Sequence, residues 1–193
     1  DGNLIEIQTD ISSGIPEFEI VGLPDVTVKE AKKRIKSAIN NSGIAFPNKK
    51  ILINLAPANI RKEGSCFDLA MAVGILLAIG CIKQANVNKL VNTILIGELS
   101  LDGKINRTNG ILPVCIEAKE LGIKRVILPK ANANEASVIS ELEIIPVSNI
   151  VEVVKYLNEE VEIKRFEIKK TEFKENYNID FSEVKGQENV KRA

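Results

Sequence analysis

The residues that could do chemistry are gathered in one loop. Arg61, Lys62, Glu63, Gly64, Ser65, Cys66 and Asp68 fall within eight positions, between an apolar run ending at Leu55 and a helix with almost no polar residues. Ser65 with Asp68 three positions later has the form of a capping box, in which each side chain serves an unpaired backbone N–H. Two readings follow. The loop either only starts a helix, or it is a helix N-terminus where backbone donors and nearby cations support an anion or catalytic site. Histidine is absent, which removes the Ser-His-Asp triad, the Cys-His pair and most catalytic zinc sites. Cys66, Cys81 and Cys115 show no C-x-x-C spacing. They read as reduced, cytosolic thiols, with neither a disulfide framework nor a metal site expected.

A phosphate-binding loop needs G-x-x-x-x-G-K-[ST], so that backbone donors and a lysine converge on phosphates. The nearest approach, Gly97 to Lys104, has the wrong spacing and no hydroxyl after the lysine. The chain is therefore expected to bind ATP weakly or not at all. Lys+Arg and Asp+Glu balance at 26 each over 193 residues, so any electropositive surface must be local. No leader peptide or membrane span is read in the sequence, and a cytoplasmic setting is expected. The uncharged stretch from Leu69 to Ile82 has 14 residues, short of the roughly 20 that a bilayer requires. It is expected to be a buried helix.

The elements around the loop can be taken in order. Asn3 to Ile11 alternates as a half-buried strand, and Glu17 to Ile20 alternates again as its expected hairpin partner. Thr27 with Glu30 opens a helix whose apolar face is Val28, Ala31, Ile35, Ala38 and Ile39. Lys29, Lys32, Lys33 and Lys36 share the neighbouring arc, Arg34 flanks the apolar face, and only Glu30 offsets these cations. This is either an ordinary solvated face or a surface for nucleic-acid phosphates. No aromatic residue interleaves with the lysines, so base stacking is not indicated. Ile51 to Leu55 reads as a central strand covered on both faces. Thr93 to Glu98 is a strand leading to the Asp102-Gly103 hairpin turn. Further helices are expected near Pro113–Leu121, around Asn134–Ser140 and after a Ser148 cap, with strands at Arg125–Leu128 and Ile144–Val147. From Glu159 to Glu175, eleven of seventeen residues are charged. This is a linker or an edge strand, composition favouring the linker.

Three segments carry a family resemblance: VGLPDVTVKEAKKRIKSAINNSG, FPNKKILINLAPANIRKEGSCFDLAMAVGILLA, and GELSLDGKINRTNGILPVCIEAKELGIKRVILPKANANEA. They resemble the N-terminal domain of the magnesium-chelatase-like AAA+ ATPases, the competence-related YifB/ComM group. That domain is similar in turn to the proteolytic domain of Lon and the C-terminal domain of RadA. The resemblance implies an α+β fold, a mixed β-sheet with packed helices, over residues 1–158. It implies a charged linker or edge strand over 159–179 and the start of an AAA+ module over 180–193. Lys185, Gly186 and Gln187 resemble the segment lining the adenine side of that module's ATP site. Lon enzymes use a Ser-Lys dyad; laid over this chain, its positions fall on Cys66 and Leu112, so no peptidase activity is expected. ATP and Mg2+ are expected in the ATPase module, ring neighbours in a homo-hexamer as partners, and DNA as the substrate, with no membrane. The alternatives are a partner-binding module of a metal chelatase and, less favoured, a Ser- or Cys-Lys peptidase.

Overall fold

A computed structural model describes residues 3–166. The fold is α+β. β1 (Glu6–Ser12) and β2 (Glu17–Val21) come first, followed by α1 (Val26–Asn41) and β3 (Lys50–Ala56). The expected β1–β2 hairpin does not form. β3 lies between the two, antiparallel to β1 and parallel to β2. The reason is burial: Ile51, Ile53 and Leu55 form the most apolar strand face, and flanking it on both edges places all three at 0% exposure. Only that face is fully covered. Leu52 and Asn54 are half-buried, because their neighbours in the register are Asp10, Gln8 and Glu19, all exposed.

α1 packs with the residues its periodicity selects: Val28, Ala31, Ile35, Ala38 and Ile39 are its buried set. Its cap is Asp25, whose carboxylate accepts the Val28 N–H at 2.7 Å, and not Thr27. The turn before it, Gly22 to Asp25, fits tightly against β3. A Cβ on Gly22 (φ +99°) would stand 2.2 Å from the Leu55 carbonyl oxygen, so this position accepts only glycine.

α2 (Asp68–Ala78) follows the chemical loop. It stops four residues before Ile82, the expected end. Gly80 adopts φ +78° and the Cys81 N–H donates to the Leu76 carbonyl while the Gly80 N–H donates to Leu77, a Schellman ending. β4 (Thr93–Leu95) then leads into the ribbon β5 (Glu98–Leu99) and β6 (Ile105–Asn106), turned at Asp102-Gly103 as the sequence requires. α3 (Ile111–Glu120), β7 (Arg125–Pro129), α4 (Ala133–Ala136), β8 (Glu143–Val147) and α5 (Ile150–Leu157) complete the strands and α-helices of the described residues. α5 is capped by Asn149, which accepts the Glu152 N–H at 2.9 Å; Ser148 instead gives its backbone N–H to the Glu152 carboxylate.

The second sheet is parallel, in the order β4-β7-β8. Its strands feed two cores, Ile127 and Ile145 joining the first with α1 and α2, Val126, Leu128 and Ile144 the second with α3 and α4. That is why Val126, Ile127 and Leu128 are apolar in succession. Pro146 sits in β8, an edge strand, where its missing N–H is harmless. Of the charged stretch after Glu159, the described part ends with Phe166, whose N–H donates to the Ile144 carbonyl at 3.1 Å. No helix among the described residues is long and apolar enough to cross a membrane.

Candidate functional site

The loop between β3 and α2 is built around two buried charges. Lys62 is 1% exposed, and its Nζ donates to the Pro57 carbonyl, so the loop is folded back on its own start. The Lys62 backbone N–H donates to Leu23 at 3.1 Å and its carbonyl accepts from Asp25 at 2.9 Å, joining the loop to the turn that starts α1. Asp68 is the second charge. The expected capping box is absent: Asp68 is the first helical residue, the preceding Phe67 makes no side-chain cap, and Ser65 directs its hydroxyl to Glu98. The Asp68 carboxylate instead holds Arg34 of α1 bidentately, Oδ2 to Nε at 2.6 Å and Oδ1 to Nη2 at 3.0 Å, and accepts the Leu99 N–H at 3.2 Å. Its side chain is 1% exposed and that of Arg34 20%. Arg34 is therefore a structural cation, not part of a free positive face. Burial pushes the Asp68 carboxyl above its usual range, the Arg34 hydrogen bonds offsetting only part of this. The same carboxylate raises the Arg34 pKa and keeps the guanidinium charged. Ser65, then Asn106, hydrogen-bond Glu98 and hold its carboxyl below the usual value.

Cys66 lines an apolar groove of about 690 Å³ between the outer edges of β1 and β4, floored by Ala70 and Gly74 of α2 and walled by Val114 and Ala118 of α3. Leu112, on the first turn of α3, is not among the lining residues; its N–H donates to the Glu135 carboxylate at 3.2 Å. No base therefore stands at that position to activate the thiol. Burial raises the Cys66 pKa, and takes that of Cys115 to about 11. A protonated, half-buried thiol is a poor nucleophile. At neutral pH, Cys66 is expected to react with iodoacetamide more slowly than free cysteine by roughly tenfold or more, and Cys66→Ala to leave folding unchanged. Rapid labelling of Cys66 by mass spectrometry would show an activated thiolate instead. Among the described residues no group of three or more side chains could hold a metal.

Lys29, Lys33 and Lys36 are exposed and Lys32 half-buried on the outer arc of α1. None of the four has a carboxylate within ion-pair distance among the described residues. The sequence places no aromatic residue within this helix, but the fold brings one beside it. The loop after α1 returns Phe46, whose ring centroid lies 5.9 Å from the Lys36 Nζ. Arg34, Lys62 and Phe46 were the residues whose roles local pattern did not reveal: Arg34 and Phe46 act through partners in other elements, and Lys62 folds its loop back onto Pro57. Lys185, Gly186 and Gln187 lie outside the described residues.

Residues 7–132 match the family described as subunit ChlI of Mg-chelatase. The chain belongs to the ChlI family. Competence protein ComM of Haemophilus influenzae is 36% identical to this ChlI-family chain over 194 residues, covering 98% of the chain and 37% of that protein. YifB of Escherichia coli is 43% identical over 136 residues, 70% of the chain and 26% of YifB. Lon protease 2 of Bacillus subtilis is 30% identical over 187 residues, 86% of the chain and 33% of the protease, consistent with the α+β fold. The ChlI-family chain thus spans between a quarter and two fifths of the length of these relatives.

Proposed function

We propose that this chain is an accessory part of a ChlI-type, ring-forming AAA+ ATPase that acts on DNA, in branch migration or recombination during natural transformation. Its own contribution is DNA contact, without peptide hydrolysis. ATP and Mg2+ belong in this reading to the ATPase module of the whole protein, working as a homo-hexamer in the cytoplasm. That the ComM relative is a competence protein agrees with this assignment. The observation that carries it is the outer arc of α1. Four lysines lie there with no ion-pair partner among the described residues, in a chain whose formal charge is zero. Unneutralised cations at helical spacing suit a row of phosphates, which bind without sequence preference and release counterions. The half-buried, unassisted thiol at Cys66 supports the loss of peptidase chemistry.

Salt dependence tests the DNA contact. The logarithm of the affinity for a labelled duplex should fall linearly with the logarithm of salt concentration. A slope of about −3 to −4 is expected if each lysine meets one phosphate. A slope near zero, or no binding at low salt, would refute the reading.

A further inference from the structure

Beyond the four lysines, the fold mounts an aromatic platform at one end of their arc. Lys29 and Lys36 are two helical turns apart, about 10 Å along α1 at the usual rise per residue. Where the helix ends, Asn40 turns its side chain outward and its Oδ1 accepts the Phe46 N–H at 2.9 Å, which ties the returning loop to α1. That bond sets Phe46 beside the lysines: Lys36 Nζ lies 5.9 Å from its ring centroid. Phe18 of β2 also meets Phe46, with centroids 5.8 Å apart and a tilt of 36°. Both rings are half-buried, packed against the first core without being enclosed by it. Lys49 closes the same loop and Lys50 opens β3; both are exposed, Lys50 facing Glu17 at 3.8 Å. Cations in a row, ending at a rigidly held aromatic ring, are the two components of a single-strand site: the row follows the phosphates and the ring receives an unstacked base. A duplex offers the row its phosphates but hides the faces of its bases, so the ring would add nothing there.

We infer that the α1 arc with Phe46 binds single-stranded nucleic acid in preference to duplex, its phosphates along Lys29, Lys33 and Lys36 and one base stacked on Phe46. The inference rests on the DNA-contact reading above and adds the strandedness. The chain has no tryptophan, so Phe46→Trp creates a lone fluorescent reporter. Its emission should be quenched by oligothymidylate and not by a blunt duplex of equal length. In parallel, Phe46→Leu keeps an apolar group in the core and removes the ring. It should weaken oligothymidylate binding about tenfold and leave duplex binding unchanged. If Phe46→Leu binds oligothymidylate like the parent and Phe46→Trp is not quenched, the stacking inference is overturned. The DNA-contact reading then still stands provided that Lys29→Glu with Lys33→Glu and Lys36→Glu abolishes binding to both probes. If that triple variant binds like the parent, both readings fall.

Discussion

Replacing Asp68 with alanine is expected to destabilise the fold by about 3 kcal/mol, the lower end of the range for breaking a buried ion pair. The lower end applies because Arg34 keeps a fifth of its side chain in water and can be partly rehydrated. Three bonds are lost together: two from Arg34, which stays held between α1 and α2 without its counter-charge, and one from the Leu99 N–H. The last ties the start of α2 to the β5–β6 ribbon, so three elements loosen at one residue. Pairing the change with Arg34→Ala should recover part of the loss, since the double variant leaves no unpaired charge. Chemical denaturation of the parent, both single variants and the double variant measures this. A loss within the range of an N-terminal cap, and additive effects, would show that the pair contributes nothing beyond local helix capping.

The contrast between a cap and a cross-link shows how far the sequence can be read. Local periodicity was sufficient for α1: its five core residues are those that recur every three or four positions, and all are buried. The same held for the Asp102-Gly103 ribbon and for the α3 ending near Gly122, each decided by residues within a few positions. The misread pairings are non-local. β1 and β2 alternate as hairpin strands should, but nothing in either reveals that β3, some thirty residues further on, slots between them. Ser65 and Asp68 satisfy the spacing of a capping box, yet each has a stronger partner far away, Glu98 for one and Arg34 for the other. Cap positions at Asp25 and Asn149 were displaced by one or two residues because neighbouring side chains were equally able to cap. At the candidate site the lysine arc was legible from helical spacing alone. Phe46 was not, because only the Asn40 bond and the β2 packing bring its ring to that face.

The largest functional effect is expected at that arc. Lys29→Glu, Lys32→Glu, Lys33→Glu and Lys36→Glu together replace the proposed phosphate contacts with like-charge repulsion. Three of the four side chains are exposed and none is in an ion pair among the described residues, so the fold should lose little. The measurement is a fluorescence titration of labelled DNA with the parent and the fourfold variant at moderate salt, beside thermal melts of both. The account predicts closely matched melts and a loss of affinity on the order of a hundredfold or more. Equal affinity in two equally folded proteins would contradict it, and would leave the lysine face of α1 as ordinary solvated surface.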